Sequence, residues 1–382
     1  MSHKLSFYEF FAGGGMVRQA LADGWACLFA NDFSEEKARS YRDNWGDEEL
    51  VVGDIAHLEV QDLPGHADLA WASFPCQDLS VAGTGAGLKG SRSGTFWIFN
   101  QLLQNLAEKN RLPKAVILEN VNGFLTSHQG NDFKQVLEAL TKHGYRCGAL
   151  VMDAVKFVPH SRPRVFLIAA DASLDVEAHS ATGPTTAWTN SALERAYAGL
   201  NANLKENWVW WSIPAPKQRT TELIDLIERS PNSVAWDSPA ETQRILGMMA
   251  PIHAEKVELA KRSGTPTVGT LYKRTRKSAD GTRKQRAEVR FDGIAGCLRT
   301  PGGGSSRQRI LIIEGDSVRS RLLSTRETAR LMGLPDSYIL PEKYNAAYHL
   351  TGDGVVVPVV KHIAHELLES LLRSSKPTSI AA

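Results

Sequence analysis

The sequence predicts an α/β fold built on a doubly wound sheet, with a smaller and more irregular region inserted before the C-terminal helix. Apolar runs alternate with mixed helical segments over the first 170 residues, a pattern typical of a sheet covered by helices on both faces. Several runs, such as residues 115–118, are continuously apolar, as expected for strands buried on both faces. After Asp171 the chain becomes polar and rich in Ala, Asn and Thr, which indicates a different kind of structure.

This alternation predicts seven strands, four helices between them and two helices further along the chain. The predicted strands are residues 5–12, 25–31, 50–54, 68–74, 114–120, 145–151 and 164–169. The predicted helices are residues 16–23, 35–44, 95–109 and 133–143. Thr325–Leu331 has the capping residues of a short helix, and residues 358–372 have the apolar spacing of an amphipathic helix.

Composition indicates a packed protein without a membrane segment. Hydrophobic residues make up 42% of the 382 residues, and the net charge of +2 neither favours nor excludes a nucleic-acid partner. The N-terminus lacks a signal-peptide pattern, and no apolar run approaches the roughly 20 residues of a membrane span. The four cysteines are too widely spaced for a Cys-x-x-Cys metal motif. We therefore expect a cytoplasmic protein with free thiols and no metal.

A glycine-rich turn, Gly13-Gly14-Gly15, follows the first predicted strand and opens a helix. Alone it is weak evidence, because such turns bind several cofactors or serve only as tight turns. Asp32 and Asp54 follow the second and third strands, where they could bind an adenosyl group or simply cap helices. Together these turns favour an adenosyl cofactor, and the absence of a phosphate-loop motif disfavours a nucleotide triphosphatase.

Cys76 follows the fourth predicted strand, directly after Pro75 and before a glycine-rich segment. A single cysteine is usually a buried packing residue, which suits Cys27 and Cys147 inside apolar strands but not a cysteine at a strand end. Glu119 ends the fifth strand and should lie at the same sheet edge. It is either a solvated cap or an acid and hydrogen-bond partner for a nucleophilic Cys76.

Six blocks in this order resemble the C5-cytosine-specific DNA methyltransferase family of bacteria and phages. The matching blocks are Phe11-Ala12-Gly13-Gly14-Gly15, Pro75-Cys76-Gln77, Glu119-Asn120-Val121, Arg162-Pro163-Arg164, residues 326–336 and Gly352-Asp353-Gly354-Val355. They cover most of the chain outside roughly 171–295. The resemblance implies a Rossmann-like domain dependent on S-adenosylmethionine.

The resemblance also implies a covalent mechanism. Cys76 would attack C6 of a cytosine flipped out of duplex DNA, and Glu119 would stabilise the ring at N3 and the exocyclic amine. Arg164 would contact the cytosine O2, while Arg162 would support the pocket or the nearby backbone. C5 would then take the methyl group from S-adenosylmethionine.

The remaining site residues are also carried over from the family. The cofactor residues are Phe11, Gly13, Gly15, Asp32, Phe33, Asp54, Ile55, Pro75, Thr95, Phe96, Asp353 and Val355. The expected DNA contacts are Ser80, Lys89, Arg92, Lys273, Arg274, Arg276, Arg283, Lys284, Arg299 and Arg307. Five of the last seven belong to a basic run, residues 273–290, in which eight Lys or Arg accompany two acids, and Arg299 and Arg307 follow it. Such a run is either a solvated face or, beside a base-modifying core, a phosphate-binding surface.

Three positions depart from the family pattern. His160 stands where the arginine block usually begins with Gln, Asp353 stands where the C-terminal block usually has Asn, and Cys297 stands where a Thr is expected. His160 affects one hydrogen bond near the flipped base, and Asp353 leaves open a cofactor that carries a group other than methyl. Cys297 is interpreted as a packing residue.

The resemblance divides the chain into a catalytic and cofactor domain, residues 1–170 and 345–382, and a target-recognition domain with its hinge, residues 171–344. We expect a monomeric modification enzyme of a restriction-modification system, with duplex DNA as its partner. The alternatives are a solitary DNA methyltransferase, an RNA cytosine methyltransferase such as the tRNA-acting branch, and a non-catalytic DNA-binding homologue. The intact Cys76, Glu119, Arg162 and Arg164 argue against the last of these.

Overall fold

The computed structural model describes residues 4–22, 24–75, 94–277, 281–299 and 307–374. The chain divides into two compact units. The first unit comprises Met1–Asp153, Pro163–Lys217 and Val357–Ala382, and the second comprises Ala154–Arg162 and Gln218–Val356. Within the described residues, no helix combines the length and apolar character needed to cross a membrane.

A seven-stranded sheet forms the centre of the first unit. Its strands are β1 (Leu5–Phe10), β2 (Trp25–Asp32), β3 (Leu50–Val52), β4 (Leu69–Ala72), β5 (Ala115–Val121), β6 (Tyr145–Asp153) and β7 (Pro163–Asp171). Their spatial order is β3-β2-β1-β4-β5-β7-β6. The first five strands pair in parallel, whereas β7 runs antiparallel to both β5 and β6. All seven predicted strands are present, although the sequence does not predict the reversed direction of β7.

The central strands β1 and β4 are buried along their whole length. The sheet is therefore covered on both faces, as in other sheets whose parallel strands are continuous apolar runs. One face packs against α3 and α4 through Phe99, Leu103, Val136 and Leu140. The helices of the first unit are α1 (Met16–Leu21), α2 (Glu35–Trp45), α3 (Thr95–Glu108), α4 (Asn131–Lys142), α5 (Ser191–Ala198), α6 (Ala202–Glu206), α12 (Val357–Ile363) and α13 (Glu369–Leu371). The predicted C-terminal helix is present, but a π-helical turn, Ala364–Leu368, separates α12 from α13.

Residues 171–217 pack onto the free edge of β6. The backbone of Cys147 exchanges hydrogen bonds with Asn207 and Val209. Gly148 permits this approach, since a Cβ atom there would lie 1.9 Å from the carbonyl oxygen of Val209. A small ladder of β8 (Ser180–Ala181) and β9 (Trp210–Trp211) continues the cover. Residues 171–217 therefore belong to the compact unit of the large sheet rather than to the second unit, in contrast to the boundary expected at residue 171.

The second unit contains a four-stranded antiparallel sheet with the order β11-β10-β12-β13. Its elements are α7 (Leu223–Leu226), α8 (Pro239–Gly247), α9 (Pro251–Arg262), β10 (Thr267–Lys277), β11 (Arg283–Arg290), β12 (Arg309–Glu314), β13 (Ser317–Leu322), α10 (Thr325–Leu331) and α11 (Tyr344–Asp353). Ile245 and Val257 from the helices pack against Leu271, Val289 and Leu311 of the sheet. A region expected to be irregular thus has regular structure and its own core. It extends to Val356, beyond the boundary expected at residue 344.

A buried ion pair joins the sheet of the second unit to α10. The Arg321 guanidinium donates two hydrogen bonds, 2.6 and 2.7 Å long, to the carboxylate of Glu327, and both side chains are fully buried. Glu327 also completes the predicted cap of α10, since its carboxylate accepts from the backbone N–H of Ser324. This bidentate geometry fixes the position of the helix.

Candidate active site

The strand order of the first unit creates a crevice at one edge of the sheet. The chain proceeds from β1 outward to β3 and then returns to the other side of β1 with β4 and β5. Ligands bind at such a switch point, beyond the carboxyl ends of the parallel strands. The glycine turn after β1, Asp32 at the end of β2 and Asp54 after β3 lie on one side of this point. Pro75 after β4 and Glu119 in the last part of β5 lie on the other side.

The turn after β1 has a strained backbone. Phe11 has a left-handed conformation with φ 58°, and Gly13 and Gly15 have φ 58° and 75°. A left-handed non-glycine residue costs roughly 1–2 kcal/mol, and such strain is concentrated at functional sites. Among the described residues the space beside Gly13 is open, because a Cβ atom there would have none of them within 4 Å. A ligand can therefore approach the backbone closely at Gly13.

Trp45 supports the glycine turn from behind. Its indole N–H donates to the carbonyl of Gly14 at 3.3 Å, and a Cβ atom on Gly15 would lie 2.6 Å from the indole nitrogen. The Arg18 guanidinium lies over the rings of both Trp45 and Tyr41 and forms a 2.8 Å ion pair with Glu49. These contacts fix the turn on the side away from the crevice.

Asp32 links the glycine turn to the end of β2. One carboxylate oxygen accepts from the N–H of Gly13 and the other from the N–H of Ser34, each at 2.8 Å. A carboxylate has about four acceptor positions, so two remain for the hydroxyl groups of a ribose. The neighbouring Phe33 is 75% exposed, and its ring is available to stack on an adenine.

Asp54 and Ile55 follow β3 at the same edge. The Asp54 carboxylate caps a short helical turn by accepting from the N–H of Ala56 at 3.0 Å, so the capping interpretation of this acid is correct. Asp54 is otherwise exposed, whereas Ile55 is buried in the core. An exposed acid beside a buried aliphatic side chain suits the amino edge and the face of an adenine.

Pro75 is the last described residue after β4. Asn120 of β5 donates from its side-chain amide to the carbonyl of Phe74 at 3.2 Å, and this bond is buried. The ring of Phe74 packs against the rings of Phe96 and Phe124. Both contacts fix the backbone that leads into the cysteine segment. The predicted nucleophile Cys76 and the predicted DNA contacts Ser80, Lys89 and Arg92 lie outside the described residues.

Glu119 and Arg164 form an ion pair at this edge. Arg164 lies opposite Val121 in the antiparallel ladder of β5 and β7, so it shares a sheet face with Glu119. The distance between Arg164 Nε and Glu119 Oε1 is 3.1 Å, and the side chains are only 16% and 9% exposed. The structure thus brings together two of the four residues predicted to be catalytic.

Thr95 and Phe96 begin α3. Thr95 is partly buried, whereas Phe96 is fully buried and its ring contacts those of Phe74 and Trp97. Phe96 is therefore a core residue, and its ring packs against Phe74 just before Pro75.

Arg162 lies in the second unit and holds the turn after α11. Its guanidinium donates to the carbonyls of Gly352 and Gly354, both at 2.8 Å, and contacts the thiol of Cys297 at 3.5 Å. Asp353 lies between these two glycines at the end of α11 and is exposed, whereas Val355 is buried. An acid at a helix C-terminus opposes the helix dipole. The predicted cofactor residues are thus distributed over both compact units.

His160 is a buried connector in the second unit. Its Nε2 accepts from the N–H of Leu298 at 3.3 Å, so its Nδ1 carries the proton that is donated to the carbonyl of Leu331 at 3.1 Å. Burial lowers the pKa of His160, because the charged form would lose its hydration. This histidine holds three chain segments together, which agrees with a structural role.

The two cysteines inside strands are poor nucleophiles. Burial raises the pKa of Cys147 in β6 to about 12 and, together with the nearby Glu9, raises the pKa of Cys27 in β2 to about 12. Both groups therefore remain thiols at neutral pH.

The predicted DNA contacts of the second unit lie in different settings. Arg274, Arg276, Arg283 and Lys284 extend along the exposed part of the hairpin β10–β11. Lys273 is mostly buried and lies 3.4 Å from Glu241, which makes it less available to DNA. Arg299 is exposed, and Arg307 donates to Asn345 and lies over the ring of Tyr344.

Three residues at the edge were not assigned individual roles from the sequence. Asn120 and Trp45 fix the two loops, as described above. Glu9 in β1 is fully buried with one carboxylate oxygen that makes no hydrogen bond to any described residue, and burial raises its pKa to about 8. The available signal for Glu9 and Asn120 was a polar residue inside an otherwise apolar strand.

A switch-point crevice with a glycine turn, an acid at the end of β2 and a Glu–Arg pair mostly shielded from water are the features of a Rossmann-like domain that binds a nucleoside-containing cofactor. A model of the family described as C-5 cytosine-specific DNA methylase matches residues 5–369. The chain belongs to this family and is an enzyme of the C5-cytosine DNA methyltransferase type.

Individual proteins with similar sequences or a similar fold are also found. The chain is 27% identical to the Type II methyltransferase M.HpaII of Haemophilus parainfluenzae, over 97% of this chain and 91% of that protein. It is 26% identical to the Type II methyltransferase M.HhaI of Haemophilus parahaemolyticus, over 96% of this chain and 95% of that protein. The crystal structure of S. pombe Dnmt2 methyltransferase has a similar fold, with a TM-score of 0.58 at 18% identity, and the match covers 96% of this chain and 99% of that chain.

Proposed function

We propose that this protein methylates C5 of a cytosine in a specific duplex DNA sequence, with S-adenosylmethionine as the methyl donor. The observation that carries the proposal is the pairing of Glu119 with Arg164 at the sheet edge where β4 leads to Pro75. Glu119 lies near the end of β5, Arg164 lies near the start of the antiparallel β7, and the thiol of Cys76 is next after Pro75 in the sequence. An acid, an arginine and a thiol are the groups that covalent attack on a cytosine ring requires.

The residues of the first unit fit an adenosyl cofactor. Asp32 has acceptor positions left for a ribose, Phe33 offers an exposed ring for the adenine, and the open side of Gly13 admits a ligand. Asp54 would accept from the exocyclic amine of the adenine. S-adenosylmethionine, when bound there, supplies an electrophilic methyl group.

The chain's own residues would prepare the cytosine. The Cys76 thiolate forms a bond to C6, which pushes electron density onto the ring. The Glu119 carboxyl group compensates for this density by donating a proton to N3 and accepting from the exocyclic amine, and Arg164 holds both Glu119 and the O2 of the ring. C5 then becomes enamine-like and would take the methyl group that S-adenosylmethionine supplies, which would leave the cofactor as a neutral thioether. When a base has removed the C5 proton, Cys76 leaves and the C5–C6 double bond is restored.

The target base must leave the duplex for this chemistry, which costs a few kcal/mol. Phosphate contacts in the second unit would help to compensate this cost, with Arg299 and the hairpin β10–β11 as candidates. Ser80, Lys89 and Arg92 would contribute from the segment after Cys76. The relatives named as Type II methyltransferases support a role as the modification enzyme of a restriction-modification system.

The direct test is to expose unmethylated duplex DNA to the protein and S-adenosylmethionine and to map the methylated cytosines. We expect 5-methylcytosine at one defined sequence. The matched variant Cys76→Ala should bind DNA and cofactor but transfer no methyl group. A parallel reaction with tRNA separates the alternatives, since label in tRNA alone would contradict the proposal. Wild-type transfer by Cys76→Ala would contradict the covalent mechanism.

A further inference from the structure

The hairpin β10–β11 has an unusual arrangement of charge. In its antiparallel register, Arg274 lies opposite Arg286, Arg276 opposite Lys284, and Lys277 opposite Arg283. Like charges directly opposite each other destabilise a pair of strands. Of these four successive rungs three are like-charge, and the neutral rung Thr275–Gln285 lies between the first and the second of them. Such an arrangement favours an anionic partner.

The two faces of the hairpin differ in what they contact. One face, through Leu271, Ala287 and Val289, packs into the core beneath α8 and α9. The opposite face carries Tyr272, Arg274 and Arg276 on β10, with Glu288 on β11. The base of the hairpin is therefore held rigidly by its packed face, while the opposite face presents the arginines.

A single carboxylate orients two of these arginines. Glu288 accepts two hydrogen bonds from Arg276, at 2.6 Å from Nε and 3.0 Å from one terminal nitrogen, and lies 3.5 Å from Nε of Arg274. The Arg274 guanidinium also lies over the Tyr272 ring at 5.3 Å. These contacts use one edge of the Arg276 guanidinium and leave donors on its outer edge. An arginine held in this way loses little side-chain entropy when it binds a planar partner.

Other cations of the same hairpin lack such a brace. Lys277, Arg283 and Lys284 are exposed, and none of them forms an ion pair with an acid in the part of the chain that the structure describes. Long, unbraced cations suit phosphates, which they contact as charges without a fixed geometry. The hairpin thus contains two kinds of cation, oriented and free.

We infer that the hairpin β10–β11 enters the major groove of the DNA, where Arg276 reads a guanine and Glu288 positions it, while Lys277, Arg283 and Lys284 bind phosphates. The major groove accepts a two-stranded ribbon, and a guanidinium donates to both O6 and N7 of guanine. Arg274, held by the same carboxylate, is the neighbouring base-reading residue. This inference rests on the proposed function, because it takes duplex DNA as the substrate.

Two types of variant separate the two kinds of cation. Arg276→Lys keeps the charge but removes the paired donors of the guanidinium. It should therefore reduce the preference for one guanine over the other bases at that position about 10-fold or more. The salt dependence of binding should not change. Lys284→Ala should lower the slope of log K against log[salt] by about 0.9 and leave discrimination unchanged.

Glu288→Gln tests the positioning role. It should relax discrimination at the same guanine as Arg276→Lys, with a smaller effect, because Arg276 is present but no longer held. Glu241→Gln is the matched control, since Glu241 pairs with Arg244 and Lys273 instead. Arg274→Lys removes the paired donors of the neighbouring arginine and serves as a second variant in case Arg276→Lys does not fold.

The readouts are methylation of a duplex library randomised around the mapped cytosine, and binding of the same duplexes at several salt concentrations. A specificity profile unchanged by Arg276→Lys and Arg274→Lys would overturn the inference, as would a change of specificity from Lys284→Ala. A wild-type protein that methylates no duplex would contradict the proposed function. A wild-type protein with a defined target and insensitive arginine variants would contradict only the inference.

Discussion

Glu119 and Arg164 are diagonal neighbours on one face of β5 and β7, with 3.1 Å between Oε1 and Nε. Because both side chains are mostly shielded from water, each charge is stabilised by the other rather than by hydration. Removing one member of such a pair leaves a buried charge without compensation. The pair therefore fixes the carboxylate in one orientation at the sheet edge.

Glu119→Gln should lower the rate of methyl transfer about 100-fold or more, since an amide cannot supply acid or base catalysis. Binding of DNA and cofactor should change little. Single-turnover methyl transfer and equilibrium binding measure the two effects separately. Glu138→Gln, which changes a carboxylate paired with Lys134 on the surface of α4, is the control. Equal rates for the two variants would contradict the role of Glu119.

Asn120→Ala should slow methyl transfer and leave cofactor affinity unchanged, because the amide holds the Phe74 carbonyl just before the cysteine segment. Loss of this buried bond should also reduce stability by about 1–2 kcal/mol. Asn190→Ala removes a side-chain bond to Asn122 and the cap of α5, so it provides a comparable loss of stability without contact with Phe74. If both variants slow the reaction equally, instability rather than positioning is the cause.

The fold of the first unit was predictable because its strands are continuous apolar runs separated by helical spacing. The second sheet was not, since residues 273–277 and 283–286 alternate among cations and polar residues, and apolar periodicity is absent from them. Strand direction is a tertiary property, which is why the reversal of β7 was missed. The chemistry at Asp32 and Glu119 could be anticipated from their strand-end positions. Partners such as Arg164 for Glu119 depend on register, which the sequence does not specify.

Trp45→Phe should raise the KM for S-adenosylmethionine about 5-fold and leave kcat unchanged. The substitution removes the indole N–H that holds the Gly14 carbonyl, and one such bond contributes about 1 kcal/mol. Steady-state kinetics at saturating DNA give both constants. Trp210→Phe, in an aromatic cluster with Tyr197 and Trp208, serves as the control. An unchanged KM in Trp45→Phe would show that the glycine turn needs no support from behind.

Glu9→Gln should change how stability depends on pH. Burial raises the folded-state pKa of Glu9 from 4.5 to about 8, so between these values unfolding releases a proton and the wild type becomes less stable as pH rises. Glutamine does not titrate, so the free energy of unfolding of the variant should rise progressively relative to that of the wild type from pH 5 to pH 8. Thermal unfolding across this range measures the difference. Parallel curves for the two proteins would mean that Glu9 keeps its charge in the fold.

His160→Gln should change the pH dependence of stability in the opposite direction. Burial lowers the folded-state pKa of His160 below its usual 6.5. Below pH 6.5 the unfolded chain therefore binds a proton that the folded protein does not, and the free energy of unfolding decreases as the pH falls. Above pH 6.5 this contribution to stability is fully present. The glutamine amide can still accept from the N–H of Leu298 and donate to the carbonyl of Leu331, the two bonds that the imidazole makes. The variant should therefore equal the wild type near pH 8 and exceed it near pH 5. Hydrogen exchange of the Leu298 amide against pH measures this locally, and an equal loss of protection in both proteins on acidification would assign the pH dependence to another group.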